Sequence, residues 1–257
     1  EQVEIEGLEG ARQVVEQRSA IRLETIGEVA AVLSHESRNL LGALGTCVHL
    51  LRRNPHLTAD DLELLDIIQG GANRLGEIVG QFAIFRRTEP PDFTALNPHE
   101  LIEQTLAKLR RDDRCPSLIP IERRLDPSVA LIQADQDGLR CLFWELFLNA
   151  VQAMGEQGTL YIETRRGVRD LLITVQDTGS GIAVGALQKI FAPLFTTKTR
   201  AAGLGLAIVK RVVGVHGGKI GVKSRPGAGA TFTIALPIRT KSAEKPNLPR
   251  RVRREVK

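Results

Sequence analysis

The strongest constraint on the fold is a regular repeat of apolar residues in the first fifth of the chain. Positions taken alternately three and four residues apart are Leu23, Ile26, Ala30, Leu33, Ser37, Leu40, Leu44, Cys47 and Leu51. Eight of these nine positions are apolar, which predicts a helix of at least four heptads with one apolar seam. Such a seam needs another helix to cover it, so this segment cannot be stable alone.

A second helix is predicted directly after the first. Asn54 and Pro55 end the first helix, and Thr58 followed by two aspartates is typical of an N-cap and first turn. The seam of the second helix consists of Leu65, Ile68, Ala72, Leu75, Val79 and Phe82. The two helices form a hairpin, and a homodimeric four-helix bundle is the expected way to bury both seams.

The heptad register also assigns a position to His35. If residues 30, 37 and 44 occupy one seam position, His35 falls at position f, which faces away from the seam. Glu36 lies beside it. A lone exposed histidine on a helix is usually an ordinary surface residue, so only the rest of the chain can give this pair a chemical role.

The stretch "RRTEPPDFTALNP", residues 86–98, contains three prolines and marks a domain boundary. Beyond it, "NPHELIEQTLAKLRRD" and "DGLRCLFWELFLNAVQAM" predict a capped helix and a buried helix. "IPIERRLD" and "VALIQAD" are expected to pair as strands, "GTLYIETRR" and "DLLITVQD" form a hairpin, and "KIGVKSR" and "ATFTIALP" close the domain. The chain is therefore predicted to be α+β, with a helical hairpin followed by an α/β sandwich.

Polar groups and glycines in the second region point to a phosphate-bearing ligand. Asp177 ends a predicted strand and is followed by Gly179 and Gly181, which allow a ligand to approach the backbone closely. The glycines of "AAGLGLAIVK" precede a helix, whose free N–H groups suit an anion. Glu145 and Asn149 are four residues apart on one helix face. They either satisfy each other and nearby backbone or meet Mg²⁺, which prefers oxygen ligands.

The order of these motifs resembles the transmitter core of bacterial sensor histidine kinases. Five segments carry the resemblance between roughly residues 20 and 237, namely "SHESRN", "ELFLNAVQA", "DTGSGI", "IFAPLFTTK" and "GLGLAIVK", with "GAGATFTIALP" as closing strand. The resemblance implies a dimerisation and histidine-phosphotransfer domain at residues 20–88 and an ATP-binding domain, of the type shared with gyrase and Hsp90, at residues 89–238. Residues 1–19 are then a lead-in, and residues 239–257 a tail.

The resemblance also implies roles for individual residues in binding ATP and Mg²⁺. Asp177 accepts a hydrogen bond from the adenine amino group, and Gly179 and Gly181 shape that wall. Asn149, with Glu145, holds Mg²⁺ on the phosphates. The remaining nucleotide-binding positions are Phe195, Lys198, Gly203, Leu204 and Gly205. Phe191 and Phe195 anchor a mobile lid, residues 192–202, and Gly203 and Gly205 let the lid backbone reach the phosphates. Lys198 and Arg200 are either phosphate partners or solvated side chains.

The histidine acquires a role from the same resemblance. His35 accepts the γ-phosphoryl group of ATP and passes it to an aspartate on the receiver domain of a response regulator. A carboxylate at Glu36 fixes the imidazole tautomer, because it bonds the other ring nitrogen. Asn39 orients a water that dephosphorylates the regulator. The sequence departs from the family pattern at Ser37, Leu40, Gln152 and Glu145, and Glu145 gives the pattern ExxxN of the ATP-hydrolysing relatives.

Two other hypotheses stay open alongside the histidine kinase. One is a gyrase-like or Hsp90-like ATPase in which Glu145 activates water, and the other is a degenerate kinase that serves only as a dimeric scaffold. The hairpin with its exposed histidine favours the kinase, since an ATPase does not need a phosphoryl acceptor.

The charge distribution and hydropathy of the chain limit the classes of partner that it is expected to bind. The net charge of +5 resides in residues 239–257, where eight Lys or Arg face two Glu, so the other 238 residues sum to about −1. That tail predicts a disordered, solvated segment or a linker, and binding to nucleic acid or to an anionic membrane is the alternative. No run is long enough for a membrane span, and three scattered cysteines indicate neither disulfides nor zinc. A cytoplasmic protein, or the cytosolic part of a longer sensor, is expected.

Overall fold

The computed structural model describes residue 37 and residues 39–86, 91–112, 114–116, 119–129, 131–198 and 203–238. His35, Glu36, Arg200, the predicted lead-in and the predicted basic tail lie outside the described residues. The described residues fall into two compact units. One unit contains those of Glu1–Pro90 and Ala183–Val212, and the other contains those of Pro91–Ile182 and Val213–Lys257.

The first unit contains the predicted helical hairpin. Residues 39–51 are helical and form the described part of α1, and α2 is Ala59–Arg86. The N-cap of α2 is reciprocal, since the Asp61 backbone N–H donates to Thr58 Oγ1 at 3.2 Å while the Thr58 N–H donates to the Asp61 carboxylate at 2.9 Å. An ion pair between Arg52 and Asp66 links the two helices near the turn.

The face by which α1 meets α2 differs from the seam that the sequence predicts. Val48 is only 3% exposed, and Leu41 approaches α2 so closely that a Cβ added at Gly76 would lie 3.8 Å from it. On α2, Leu65 and Ala72 are buried as predicted. The large apolar residues of the seam that stay exposed in one chain, which we call the exposed hairpin face, are Leu40, Leu44, Leu51, Ile68 and Leu75.

The remaining elements follow in the order β1 Phe93–Leu96, α3 Pro98–Leu109, β2 Ile121–Leu125, β3 Ile132–Asp135, α4 Gln136–Met154, β4 Leu160–Arg166, β5 Asp170–Asp177, α5 Val184–Leu187, α6 Gly205–Val215, β6 Lys219–Ser224 and β7 Ala230–Pro237. Among the described residues, β2, β4, β5, β7 and β6 form one sheet in that order, and β1 pairs with β3. The α/β domain predicted after the hairpin is therefore confirmed.

The predicted pairing of β2 with β3 is wrong. β2 runs parallel to β4, with Ile121 opposite Leu160, whereas β3 pairs antiparallel with β1. Side-chain hydrogen bonds at Asp126, just after β2, account for the parallel pair, because the Asp126 N–H donates to Thr164 Oγ1 and its carboxylate accepts from the Arg166 N–H. The hydrogen bond from Arg166 and those from Ser128 lower the pKa of Asp126 to about 2.

Helix α4 forms the centre of the second unit. It packs on β4 and β5, and α3 lies beside it. Leu142, Phe143, Leu146 and Phe147 are at most 1% exposed, because α4 carries apolar residues around most of its circumference. The start of α4 is fixed by His216, whose Nε2 accepts the backbone N–H of Asp135 at 3.0 Å. Within the described part of the chain, no helix combines the length and apolarity that a membrane crossing requires.

Candidate functional site

Helix α4 presents two oxygen-bearing side chains on one face. Glu145 is 5% exposed and Asn149 is half-buried, one helical turn further on. A carboxylate at this depth costs several kcal/mol unless its charge is compensated. The pair supplies carboxylate and amide oxygens, which are ligands that suit Mg²⁺.

Asp177 occupies the last position of β5 and is 4% exposed. Its Oδ1 accepts the backbone N–H of Gly179 at 2.8 Å and that of Ala230 at 3.3 Å. These bonds come from the turn after β5 and from the start of β7, so two elements hold the carboxylate in one orientation. A group held in this way is pre-organised to recognise a ligand's hydrogen-bond donor.

The turn after β5 contacts the end of α4. The Ser180 backbone N–H donates to the carbonyl oxygen of Ala153 at 2.9 Å, and a Cβ at Gly179 would lie 2.5 Å from that same residue. Only glycine fits there. This contact brings Asp177 and the helix that carries Asn149 into one rigid arrangement within the second unit.

The sequence did not single out the turn before β7 as part of this arrangement. Gly229 donates its N–H to Gly179 O at 2.9 Å, and Ser224 Oγ accepts from Ile182 and donates to Gly229 O. Gly181 has φ 69° and its Cβ would lie 2.1 Å from Arg225 O. The motif "RPGAGA" carries the signal for this contact, since two glycines there permit close approach of backbone to backbone.

We expect Gly229→Ala to destabilise the protein more than Gly227→Ala. Both glycines have φ near +75°, which costs an L-residue about 1–2 kcal/mol. An added Cβ at Gly227 meets nothing within 4 Å, whereas at Gly229 it would lie 1.9 Å from Asp177 O. The clash should lower the free energy of unfolding by about 1–3 kcal/mol more. Urea unfolding of both variants measures the difference, and equal losses would contradict the proposed contact.

The predicted lid residues belong to the first unit. Phe191 and Phe195 are half-buried, Lys198 is exposed, and residues 199–202 are not described. Gly203 has φ 68°, and a Cβ there would lie 2.6 Å from the carbonyl carbon of Leu194, itself a non-glycine residue with φ 64°. Leu204 is buried and Gly205 begins α6. The Gly203 position therefore requires glycine for a packing reason as well as a conformational one.

The described hairpin contributes one predicted site residue. Asn39 is exposed on α1, and His35 and Glu36 precede the described part of that helix. In the described residues, no group of three His, Cys, Asp or Glu side chains is arranged to hold a metal ion.

Two protein families match separate parts of the chain. The His Kinase A (phospho-acceptor) domain matches residues 25–90, and the histidine kinase-, DNA gyrase B-, and HSP90-like ATPase family matches residues 134–240. The first match includes Asn39 and the second includes Glu145, Asn149 and Asp177. The two matches have the order that the sequence motifs predict.

Curated relatives extend across both regions. The sensor histidine kinase ZraS of Salmonella typhi is 36% identical over 219 residues, which is 84% of this chain and 47% of the relative. The signal transduction histidine-protein kinase AtoS of Escherichia coli (strain K12) is 34% identical over 89% of this chain and 38% of the relative. The chain thus spans half or less of the length of these relatives.

Two solved structures also match most of this chain. The crystal structure of full-length ShkA in complex with AMPPNP matches with a TM-score of 0.67 and 26% identity over 84% of this chain and 47% of that chain. The crystal structure of the histidine kinase ThkA in complex with the response regulator protein TrrA matches with a TM-score of 0.57 and 28% identity, over 85% of this chain and 63% of that chain.

Proposed function

Because this chain contains the transmitter core of a histidine kinase, we propose that it transfers the γ-phosphoryl group of ATP to His35 and then to an aspartate of a response regulator. The observation that carries this proposal is the rigid arrangement of Asp177 beside the helix with Glu145 and Asn149. Incubation with γ-labelled ATP tests it, since label should stay on the chain and move to a receiver domain.

Asp177 recognises adenine in this proposal. A carboxylate has about four acceptor sites, so Asp177 can accept the adenine amino group in addition to the N–H groups of Gly179 and Ala230. The burial of Asp177 strengthens the preference for adenine, because a guanine carbonyl at the same point would face a carboxylate oxygen and repel it.

Asn149 and Glu145 hold Mg²⁺ on the phosphates. Their oxygens fit this ion, which is bound through one or two protein ligands together with phosphates and waters. When bound, Mg²⁺ neutralises charge on the phosphates.

The lid and the start of α6 supply the other contacts to the phosphates in this proposal. Gly203, Leu204 and Gly205 bring backbone N–H groups at the start of α6 to the phosphates. Phe195 anchors the lid, and the Lys198 side chain binds a phosphate.

The transfer to His35 is an in-line displacement. A neutral imidazole nitrogen bonds to the γ-phosphorus while the bond from that phosphorus to the bridging oxygen breaks, and ADP leaves. Glu36 accepts the N–H of the other ring nitrogen and stabilises the positive charge that develops on the ring. Positioning and charge neutralisation supply most of the acceleration in reactions of this class.

A second copy of the chain covers the exposed hairpin face. This surface has five large apolar residues between 41% and 68% exposed in one chain, and their seam spacing on the two helices is what a partner helix pair would cover. Two hairpins would form a four-helix bundle with residues 20–88 as the dimerisation domain. We further propose a cytoplasmic location, where ATP and the response regulator are available.

We expect Asp177→Asn to weaken ATP binding about tenfold to a hundredfold without unfolding the protein. The amide keeps the shape of the carboxylate but loses charge-assisted bonds worth roughly 1.5–3 kcal/mol. Isothermal calorimetry with a non-hydrolysable ATP analogue measures the affinity, and Asp170→Asn, at the other end of β5 and half-buried, is the matched control. Unchanged affinity in Asp177→Asn would exclude this carboxylate as the adenine acceptor.

We expect Asn39→Ala to slow dephosphorylation of the response regulator and to leave phosphorylation of His35 within about twofold. Asn39 is exposed on α1 and follows His35 by four residues in the sequence, and its amide can orient the attacking water, which contributes about 10²-fold or more in general catalysis. The dephosphorylation rate is measured as the loss of phosphate from a receiver domain alone, with the wild-type protein and with Asn39→Ala. A normal decay rate with Asn39→Ala would refute this role.

A hydrolase is the second candidate, and Glu145 is the observation that favours it. A buried carboxylate one turn before the proposed Mg²⁺ ligand can act as general base for water as well as for an imidazole. Retained phosphate on the chain distinguishes a transferase from a hydrolase.

A further inference from the structure

A row of residues crosses three strands of the sheet and leads to Asp177. Ser224 is the last residue of β6 and lies opposite Ala230, the first residue of β7. Ala230 in turn lies opposite Asp177, the last residue of β5. The carboxylate that the proposed function assigns to adenine therefore has, two strands away, a half-buried serine to which that function gives no role.

The Ser224 hydroxyl connects the turn after β5 to the turn before β7. Its Oγ accepts the Ile182 backbone N–H at 2.8 Å and donates its hydrogen to Gly229 O at 2.7 Å. A serine hydroxyl has a single hydrogen, so the bond to Gly229 O fixes the direction in which the hydroxyl points. Ser224 is therefore a bridge between two backbone groups rather than a rotating surface hydroxyl.

The carbonyl group of Gly229 belongs to the same peptide group as the Ala230 N–H, which donates to Asp177 Oδ1 at 3.3 Å. Because a peptide group is planar and trans, a hydrogen bond that holds its oxygen also orients its N–H. The bonds form one directed chain, from the Ile182 N–H through the Ser224 hydroxyl and the peptide group to the Asp177 carboxylate. Hydrogen bonds in such a chain polarise and strengthen one another.

The contact between the two turns does not depend on the Ser224 hydroxyl alone. The Gly227 N–H donates to Ser180 O at 2.7 Å, and the Gly229 N–H donates to Gly179 O at 2.9 Å. These backbone bonds remain when the hydroxyl is removed. Loss of the hydroxyl should therefore change the orientation of the Ala230 N–H more than the position of the turns.

We propose that Ser224 is a positioning residue for adenine recognition, because its hydroxyl holds the peptide group whose N–H fixes the Asp177 carboxylate toward the adenine amino group. This inference rests on the proposed role of Asp177 in binding ATP. It requires the hydroxyl to matter for a ligand that carries the amino group and not for one that lacks it. A hydroxyl that only stabilised the fold would affect both ligands equally.

The test is calorimetry of the full chain with ADP and with purine riboside 5′-diphosphate, which lacks the 6-amino group. Wild type should bind ADP about tenfold or more tightly than the analogue, since the amino group donates to a carboxylate. In Ser224→Ala, the affinity for ADP should fall about threefold to tenfold, while the affinity for the analogue stays within about twofold.

Two more variants support this comparison. Ser224→Cys fills the same site with a group that is only a weak donor and acceptor, so it should lose preference for ADP in the same way, and it carries the test if Ser224→Ala does not fold. Ser128→Ala removes a hydroxyl that donates to Asp126 at 2.6 Å elsewhere in the second unit. This control should leave both affinities unchanged.

Asp177→Asn separates this inference from the proposed function. It should abolish the preference for ADP over the analogue, and adding Ser224→Ala to it should change the preference no further. A normal preference in Asp177→Asn would refute adenine recognition by Asp177 and this inference with it. If Asp177→Asn loses the preference but Ser224→Ala and Ser224→Cys keep it, or weaken both ligands equally, the role of Ser224 alone is overturned.

Discussion

Replacing His35 with glutamine should reduce the phosphate retained on the chain to background. The heptad register predicts an outward-facing position for His35, and Asn39, four residues later in the sequence, is exposed on α1. Glutamine is polar and of similar length, but its amide nitrogen is not nucleophilic, so the transfer loses its acceptor. ATP affinity should stay within about twofold, because the proposed nucleotide residues lie elsewhere in the sequence.

The chain offers a matched control for this variant. His49 lies two heptads after His35, so it has the same heptad position, and it is exposed on α1. His49→Gln should therefore retain full labelling from γ-labelled ATP in the same assay. Label that persists in His35→Gln, or that disappears in His49→Gln, would assign the acceptor to another residue.

Replacing Glu145 with glutamine should lower the rate of His35 phosphorylation by about 10²–10⁴-fold while ATP affinity changes only a few-fold. Glu145 is 5% exposed and lies one turn before Asn149. Glutamine fills the same volume and keeps one side-chain oxygen for the proposed Mg²⁺, but it cannot take a proton. The loss should therefore appear in the chemical step, measured by single-turnover labelling at saturating Mg-ATP.

Two controls separate a slower chemical step from a general loss of surface charge or of folded protein. Glu156→Gln changes an exposed carboxylate just beyond the end of α4 and should leave the rate unchanged. Unfolding of Glu145→Gln in urea shows whether the buried amide has weakened the fold. An equal decline of rate and affinity in a stably folded Glu145→Gln would mean that Glu145 binds the nucleotide without assisting the transfer.

Local features of the fold were predictable because their causes are local. The Asn97 side chain accepts the His99 N–H at the start of α3, and Thr58 and Asp61 cap α2, as their residue types indicate. The hairpin of β4 and β5 follows from strict alternation of buried and exposed residues over a short turn. The same reasoning identified α4 as a buried helix, with Glu145 as the unusual residue on it.

Pairings between distant segments were not predictable in this way. The alternation of apolar and polar residues shows which side chains of β2 face the core, but it does not show whether β3 or β4 is the neighbouring strand. The hydrogen bonds of Asp126 that favour β4 connect residues about forty positions apart in the sequence. The hairpin is similar, since Val48, which is outside the predicted seam, is buried in one chain while the seam residues Leu40 and Leu44 are exposed. The packing of Gly229 against Asp177 likewise depends on two turns that only the folded chain brings together.

The fate of the γ-phosphate tests the central claim most directly. Wild type, His35→Gln and Glu145→Gln are incubated under the same Mg-ATP, and both retained and released phosphate are measured. A histidine kinase should retain about one phosphate per acceptor in wild type only, with slow release that depends on His35. Fast, multiple-turnover release that persists in His35→Gln and disappears in Glu145→Gln would show that the chain is a hydrolase and contradict the proposed transfer to His35.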